Sequence, residues 1–304
     1  WTYTISSSVT LSPFVTTTVQ VSIKPYKHWS TAPGDYPFTV TATSQGAPLH
    51  GLTATASELG NVHVLPFHEV EVKLTPPLVS VKPGQTAVYT IKVTNLGNVQ
   101  DKFDISLLFD DFDGTYEAFP TAIQLAWTAI DKPTLTINPG QFDIAMLKIT
   151  VPVNWAGMEN ATYTFDAIAT CQADPTAKDE ASAALQVQAT KRSMAEYIKL
   201  EILWKIAEVA GASVDSSFKC LANVKLQAAL HWVNEAIMDI ERGWNTAANI
   251  HLSQVRQKMW EFQALISSFM SWPSPRLPQA LADQWMQQAE QIIADINKAM
   301  NTPI

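Results

Sequence analysis

The spacing of apolar residues changes once along this chain, near residue 190, and that change constrains the fold more than any other feature. Before it, short runs such as residues 86–94 alternate apolar and polar side chains, as half-buried strands do. After it, apolar residues recur every three or four positions, the period of an amphipathic helix. Turn signals with Pro and Gly, at 82–85 and 138–141 for example, separate the strand-like runs. The pattern predicts an antiparallel β-sandwich part followed by a helical part.

The helical part predicts four helices. Ser193 and Glu196 have the spacing of a capping box and open the first, which stops at Gly211. The second covers residues 221–242 and ends at Gly243. The apolar rhythm continues over 252–269, prolines at 273, 275 and 278 break the chain, and a fourth stripe follows over 285–299. Short connections between four such helices favour an antiparallel bundle.

The strand part contains an internal repeat. Several aromatic and proline residues among the first 48 positions recur 126 or 127 positions later. The matched pairs include Trp1 with Trp127, Trp29 with Trp155, Tyr36 with Tyr163, Phe38 with Phe165 and Pro48 with Pro175. We therefore interpret the strand part as two copies of one domain.

The first copy lacks its front half. The second copy, about 70–189, has strands between 78 and 126 that precede its Trp127, whereas Trp1 already aligns with the middle of the domain. Unpaired strand edges and an uncovered apolar face are unfavourable in water. We expect about 50 or more residues before Trp1 in the native polypeptide, or another chain, to supply the missing strands. The predicted domains are 1–69 (the C-terminal half of a first sandwich with a linker strand), 70–189 (a complete sandwich) and 190–304 (a helical bundle).

Several segments resemble a widespread domain family. The segments 79–90, 94–98 and 34–44, with Pro139-Gly140-Gln141, resemble Ig-like domains of the alpha-galactosidase-associated and CARDB-like kind. Such domains occur in tandem in secreted, cell-surface and S-layer proteins of archaea and bacteria, as spacers, assembly modules or accessory binding units. The resemblance covers about residues 1–189 and implies Ig-like sandwiches without catalytic residues. Residues 13–14 are Pro-Phe where the pattern has Pro-Gly. The helical tail is similar to the helical segments that follow such domains in archaeal surface proteins.

Composition and motifs argue against several functions. The chain has 20 Lys and Arg against 28 Asp and Glu, a formal charge of −8 that argues against nucleic acid as the main partner. No apolar run approaches the ~20 residues of a membrane span. No nucleophile, histidine and carboxylate occur at a diagnostic spacing, and no phosphate-binding glycine loop is present. We expect a protein that is not an enzyme. Because it starts at Trp1, without Met or a signal segment, we expect a processed or excised chain.

Two groups of residues are candidate metal ligands. An oxygen-rich stretch with Asp110, Asp111, Asp113 and downstream Glu117 would suit Ca²⁺, but the EF-hand spacing is absent and a solvated acidic turn is the favoured interpretation. Ca²⁺ is the one cofactor that the sequence suggests. The second group contains His63 and His68 with nearby glutamates at 69 and 71. Two histidines five residues apart on one strand point to opposite faces, which disfavours a site within that strand.

Three further features each have two interpretations. Cys171 and Cys220, the only cysteines, form a disulfide between sandwich and bundle or remain free thiols. Asn160 begins the sequon Asn160-Ala161-Thr162 and is a candidate for glycosylation, or a chance match. The ten tryptophans could stack on sugars, but those in the helices, at 204, 232, 260 and 285, are expected in the core.

Two functions fit these observations. The favoured one is a non-enzymatic structural or assembly segment of an S-layer or envelope protein, located outside the cell, which self-assembles or is completed by another polypeptide. The alternative is a C-terminal accessory or carbohydrate-binding tail of a larger secreted hydrolase whose catalytic domain precedes Trp1. What is encoded upstream of Trp1 would separate the two.

Overall fold

A computed structural model describes residues 1–6, 8–12, 14–44, 54–109, 127–271 and 277–303. In these ranges all strands precede all helices, so the protein is a mixed β and α protein with several sheets and four helices. The strands are β1 (Thr2–Ile5), β2 (Val21–Lys24), β3 (Gly34–Thr43), β4 (Thr55–Val64), β5 (Val70–Thr75), β6 (Leu78–Val81), β7 (Thr86–Asn95), β8 (Asp101–Phe109), β9 (Thr128–Ile130), β10 (Thr134–Ile137), β11 (Phe142–Thr150), β12 (Ala161–Cys171) and β13 (Lys178–Val187). The helices are α1 (Lys191–Gly211), α2 (Ser216–Glu241), α3 (Asn245–Met270) and α4 (Gln279–Asn301).

Strands β5–β13, the second unit, form two sheets that share one core. Their strand orders are β10-β8-β12-β13-β6 and β5-β7-β11-β9, and β6 with β13 is the parallel pair among otherwise antiparallel neighbours. Alternate side chains of the long strands face inward, as the period of two requires. Tyr89 of one sheet meets Phe165 of the other edge-on, with ring centroids 5.1 Å apart. The predicted strand 86–94 is thus confirmed as a buried central strand.

Strands β1–β4, the first unit, repeat the later strands of the second unit. The β3–β4 hairpin pairs Gly34 with Val64 through to Thr43 with Thr55. The β12–β13 hairpin pairs Ala161 with Val187 through to Thr170 with Lys178, in the same register. The offset is 127 residues between β3 and β12 and 123 between β4 and β13 (161 − 34 and 187 − 64). The internal repeat therefore extends to β4 and β13, beyond the last pair that the sequence alignment reached.

The turns before the matched strands also correspond. Gly140 has φ +70°, and Gln141 donates its backbone N–H to the Asn138 carbonyl at 3.1 Å. Phe14, at the equivalent position, has φ +63° in a turn closed by an equivalent 3.1 Å hydrogen bond. Left-handed backbone is easy for glycine and costs other residues about 1–2 kcal/mol. The Pro-Phe departure from Pro-Gly therefore keeps the turn, at the expense of strain at Phe14.

Helices α1–α4, the helical unit, share a second core. It is built from their inward stripes and includes Trp285, which stacks on Phe218 at 5.5 Å. The first helix begins three residues earlier than predicted. Thr190 is its N-cap and Ser193 is the third residue of the capping box. The Thr190 hydroxyl accepts the Ser193 N–H at 3.2 Å, and the Ser193 hydroxyl accepts the Thr190 N–H at 2.8 Å. Glu196 instead forms ion pairs with neighbouring basic residues.

The loop 157–160 joins the second unit to the helical unit. The Ser193 hydroxyl donates to the Gly157 carbonyl at 3.1 Å, and the Gly157 N–H donates to the Ser193 carbonyl at 3.1 Å. Met158 packs into the helical core. These contacts fix the start of α1 on the second unit. None of the four described helices is long and apolar enough to cross a membrane.

Candidate functional site

The most unusual surface of the molecule is the inner face of the first unit. In the second unit, Trp127 is 9% exposed and its ring meets Tyr163 edge-on. In the first unit, the equivalent Trp1 is 41% exposed and contacts Tyr36 with ring centroids 4.8 Å apart. The same aromatic pair is therefore buried in one copy and open in the other.

The open face continues along both small sheets. In β12, Phe165 and Ala167 are fully buried, whereas their counterparts in β3, Phe38 and Val40, are only half-buried. Large apolar side chains in the first unit and its linker are widely exposed. They are Trp1, Tyr3, Ile5, Val9, Leu11, Phe14, Val15, Tyr26, Trp29, Leu59 and Leu65. These side chains do not all lie on one face: Leu59 pairs with Thr39 and so points to the outer side of the hairpin. The face that is buried in the second unit is the one with Tyr36, Phe38 and Val40, and a half-buried apolar face of this kind has the character of an interaction surface.

Strand edges in the first unit are open as well. In the second unit β12 lies between β13 and β8, and β11 lies between β9 and β7. The equivalent strands β3 and β2 each have one neighbour within the described residues, β4 and β1 respectively. The edge of β3 that corresponds to the β8 side of β12 therefore has no described neighbour. The same holds for the edge of β2 that corresponds to the β7 side of β11. Such edges accept an added strand.

A groove of about 460 Å³ opens beside Trp1 and Tyr36. In the second unit the equivalent region is packed, because the Trp155 indole N–H donates to the Tyr163 hydroxyl at 2.9 Å and Phe109 closes the apolar side. A cavity of only about 20 Å³ remains there. Other groove-lining residues are Tyr26, Lys27, His28, Ser30 and Thr31.

Trp29, the counterpart of Trp155, instead packs against the second unit. Its ring lies so close to Gly140 that a Cβ at that position would be 2.5 Å from the ring. Asn98, which is 3% exposed, strengthens the same joint: its amide donates to the carbonyls of Thr31 at 2.9 Å and Leu65 at 3.2 Å. Its side-chain oxygen accepts the N–H of Phe67 at 2.8 Å. The two strand units are therefore connected by a buried polar joint.

A compact cluster of titratable side chains lies next to this joint. His68 Nδ1 is 2.9 Å from both carboxylate oxygens of Asp101, and Cys171 Sγ is 3.8 Å from the same nitrogen. One donor atom from each residue lies within 4.8 Å of the other two. His68 comes from the linker before β5, Asp101 begins β8, and Cys171 ends β12. Three distant parts of the chain therefore meet there.

Burial dominates the chemistry of that cluster. Cys171 is fully buried and the Asp101 side chain is 2% exposed. Desolvation, with a smaller contribution from the Asp101 carboxylate, raises the pKa of the Cys171 thiol, against hydrogen bonds from the backbone N–H groups of Asp174 and Ala173. A buried, protonated thiol is a poor nucleophile. The arrangement suits metal binding or internal hydrogen bonding better than covalent catalysis.

The sequence identified only one member of this cluster as a ligand. His63 and His68 do not share a site, because His63 bonds Asp35 across the β3–β4 hairpin at 2.7 Å. The sequence signal for Asp101 is its phase: it lies two and four residues before the buried Phe103 and Ile105 of β8, so it shares their inward face. Its partners could not be predicted, since they lie 33 and 70 residues away in sequence.

The remaining predicted residues have simple surroundings. Both cysteines are free thiols, and Cys220 is exposed on α2 while Cys171 is buried in the second unit. Asn160 is exposed and its side-chain oxygen accepts the Ala189 N–H at 2.8 Å, so its glycosylation stays a prediction. The Ca²⁺ candidates Asp110, Asp111, Asp113 and Glu117 lie outside the described residues.

The core placement expected for the helical tryptophans is only partly confirmed. Trp285 is fully buried and Trp232 packs beside the core, stacked on His251. Trp204 and Trp260, by contrast, are 70% and 46% exposed, so their expected burial is wrong. Both lie on the outward side of their helices, where the apolar stripe does not reach.

The helical unit buries an acidic pair between α1 and α4. Burial, followed by the nearby charge of Asp295, raises the pKa of Glu201 to about 8, while Tyr197 and Lys205 act in the opposite direction. Burial also raises the pKa of Asp295. Lys205, 4% exposed, bonds Glu208 at 2.5 Å. Two carboxyl groups that share a desolvated site cannot both ionise cheaply.

Comparison with known proteins finds a likeness of fold. No protein-family model matches the chain, and no curated protein matches it in sequence. Solved structures with a similar fold include the PapD-like domain 7 of human CEP192 (15% identity, TM-score 0.27, covering 39% of this chain and 84% of that one). The periplasmic chaperone SfaE is another (12%, 0.27, 39% of this chain and 57% of that one). A third is domains 4 and 5 of the S-layer protein SbsC (14%, 0.25, 52% and 66%). These neighbours are PapD-like and Ig-like β-sandwich domains, one of them from an S-layer protein.

Proposed function

We propose that this chain is a non-enzymatic structural and assembly segment of an extracellular cell-surface protein of the S-layer or envelope type. In this proposal the second unit is an Ig-like antiparallel sandwich, the first unit is the later half of another, and the helical unit is an antiparallel bundle. One observation carries it: the same β-hairpin is covered in the second unit and uncovered in the first. The first unit is then the point at which the segment is assembled.

Energetics support a covered first unit in the working protein. Burying a large apolar side chain stabilises a fold by about 1.5–3 kcal/mol relative to leaving it in water. Trp127, Tyr163 and Phe165 are buried and supply this stabilisation. Their counterparts Trp1, Tyr36 and Phe38 are more exposed and supply less of it. The open edges of β2 and β3 add unpaired backbone groups.

The second unit specifies the chemistry of the partner. There, β8 runs antiparallel to β12 and places Phe109 opposite Phe165 and Leu107 opposite Ala167. The partner of the first unit is accordingly a polypeptide of the same repeat type, with a strand antiparallel to β3 that sets apolar residues opposite Phe38 and Val40. A second strand would pair with β2 as β7 pairs with β11. Its source is an upstream stretch of the same polypeptide or another chain.

One observation favours the accessory-tail alternative. The groove beside Trp1 combines the rings of Tyr26 and Tyr36 with polar groups of Lys27 and Ser30, which is a composition suited to stacking and hydrogen-bonding a sugar. The same groove lies next to the face that needs covering. A test of the favoured function must therefore separate strand addition from sugar binding.

The test is incorporation of variants into the native surface assembly. Val40→Asp places a charge on the open face of β3, whereas Thr39→Asp, the matched control, places it on the opposite, exposed face of the same strand. We expect Val40→Asp to be lost from the assembled surface fraction and Thr39→Asp to be retained. Hydrogen exchange should show β3 amides protected in the assembly and exposed in the isolated chain.

Two results would contradict the proposal. Equal incorporation of both variants would mean that the open face is not used. A catalytic domain in the same polypeptide, with binding of soluble sugars that Val40→Asp leaves intact, would support the accessory tail instead.

A further inference from the structure

The cluster of His68, Asp101 and Cys171 contains three donor atoms of three chemical kinds. Imidazole nitrogen, carboxylate oxygen and thiol sulfur converge, and all lie within 4.8 Å of one another. Ca²⁺ and Mg²⁺ prefer oxygen ligands alone. A mixed nitrogen, oxygen and sulfur set instead suits a borderline-soft transition metal ion such as Zn²⁺.

The distances fit such an ion with small adjustments. Zn²⁺ binds nitrogen and oxygen at about 2.0–2.2 Å and thiolate sulfur at about 2.3 Å, so ligand atoms of a tetrahedral site lie about 3.3–3.6 Å apart. The nitrogen–oxygen and nitrogen–sulfur separations here are 2.9 Å and 3.8 Å. These two separations therefore need to change by up to about half an ångström, and the oxygen–sulfur separation is within 4.8 Å. A fourth ligand, water, can approach from the side on which the His68 side chain is 20% exposed.

Charge balance also favours an ion at this place. Asp101 is a carboxylate almost fully removed from water, and its described polar neighbours include one histidine and one thiol. When a divalent ion binds, the Cys171 thiol releases its proton to solvent, and His68 coordinates through Nδ1 as a neutral imidazole with its proton on Nε2. The two anionic ligands then neutralise the two charges of the ion. The occupied site then places no net charge in the interior.

We propose that His68, Asp101 and Cys171 form a Zn²⁺-type site with three protein ligands that fixes the linker between the two strand units. Both chain neighbours of His68 are held in the joint. The Phe67 N–H donates to the Asn98 side-chain oxygen, and the Glu69 carbonyl accepts the Gly97 N–H. An ion bound there ties this linker to β8 and β12 at once. The site stands whether or not the first unit is an assembly point.

The test uses the full chain, stripped of metal by a chelator and kept reduced, and titrated with Co²⁺ as the spectroscopic probe. We expect one equivalent to bind, with a thiolate-to-cobalt charge-transfer band in the near ultraviolet. Cys171→Ser should abolish that band, and His68→Asn should weaken binding at least tenfold. The matched controls Cys220→Ser and His63→Asn change the other free cysteine and the neighbouring histidine, and should bind like the wild type.

A second measurement protects the test against misfolding. Because His68 is partly exposed, His68→Asn should keep the wild-type near-UV circular dichroism, and Zn²⁺ should raise the melting temperature of the wild type but not of this variant. No charge-transfer band in the wild type, or a band that Cys220→Ser removes and Cys171→Ser keeps, would overturn the site. The three residues would then be a hydrogen-bonded set that satisfies Asp101.

Discussion

Gly140 is the residue against which the Trp29 ring packs in the joint between the two strand units. Its backbone is left-handed, with φ +70°, and the ring of Trp29 covers the space where a side chain would start. Gly84 has the similar φ of +85°, but a Cβ there would meet Val153 at 3.5 Å, an ordinary contact. Substitutions at Gly140 and Gly84 therefore share the backbone strain, but only the one at Gly140 also disturbs the contact with Trp29.

We expect Gly140→Ala and Gly84→Ala each to destabilise the second unit by about 1 kcal/mol, because alanine resists left-handed backbone. Only Gly140→Ala should also displace Trp29 and loosen the joint. Hydrogen exchange followed by mass spectrometry should then show faster exchange in residues 65–69 for this variant alone. If both variants exchange alike, the Trp29 contact does not hold the units together.

For single residues, the sequence predicts which side chains are buried better than it predicts which side chains contact each other. Alternation along β8 is enough to place Asp101 inward with Phe103. It cannot show that His68 and Cys171 arrive at the same point, since strand order in the two sheets brings them there. For the same reason the exposure of Trp204 was missed: helical period assigns a residue to a face, but the width of the packed stripe depends on the neighbouring helices.

At the scale of elements, the strands and helices follow their local signals closely. The predicted repeat aligns β3 with β12 in sequence because both carry the same alternating aromatic residues. The β3–β4 and β12–β13 pairings have matching registers. Where a boundary shifted, a competing signal was stronger. Thr190 caps α1 in place of Ser193, since a threonine three residues earlier offers the same hydroxyl and lengthens the helix by a turn.

The contact between α1 and α4 should make the helical unit lose stability as the pH rises from about 4.5 to about 8. The pKa of Glu201 is raised from 4.5 to about 8 in the fold, so the folded state holds a proton that the unfolded state releases earlier. Stability from this group is fully present below about pH 4.5 and is lost as the pH rises through about 8. Ionised Glu201 would then face the second acidic group, Asp295.

We therefore expect Glu201→Gln to be more stable than the wild type at about pH 9, by about 1–3 kcal/mol. Thermal melts followed by helical circular dichroism between about pH 5 and about pH 9 would measure this difference. Glu290→Gln, at an exposed position of α4, is the matched control and should keep the wild-type pH dependence. A Glu201→Gln profile with the same slope as the wild type would contradict the buried acidic pair.

At the scale of the whole molecule, the sequence predicts the order of the units better than it predicts how exposed each unit is. A change of apolar period locates the β and α parts, and repeated aromatics reveal two related copies. How open the first copy is could be judged only from exposed fractions, because exposure depends on which strands are neighbours and not on the strand itself. The same hairpin is a core element in one copy and a surface in the other.

Among the pairings of the second unit, β6 and β13 run parallel, from Leu78 beside Ala184 to Val81 beside Val187. The first unit leads into β5 just before β6, and β13 leads after three residues into α1. When the chain is stretched by its ends, the pull reaches β5 first, and its antiparallel pairing with β7 must open before β6 and β13 are drawn past each other along their axes. Their hydrogen bonds must then break together, because evenly spaced parallel bonds share the strain.

In single-molecule stretching of the whole chain, the helical unit should therefore yield at lower force than the second unit in the same trace. The helices serve as the internal control, and a second unit that yields first would show that the parallel pair does not resist. In the proposed surface role, such a segment would transmit tension along the chain through one short pair of strands. The first unit, whose strands β2 and β3 each have one neighbour among the described residues, would gain comparable mechanical strength if the proposed partner strands were added.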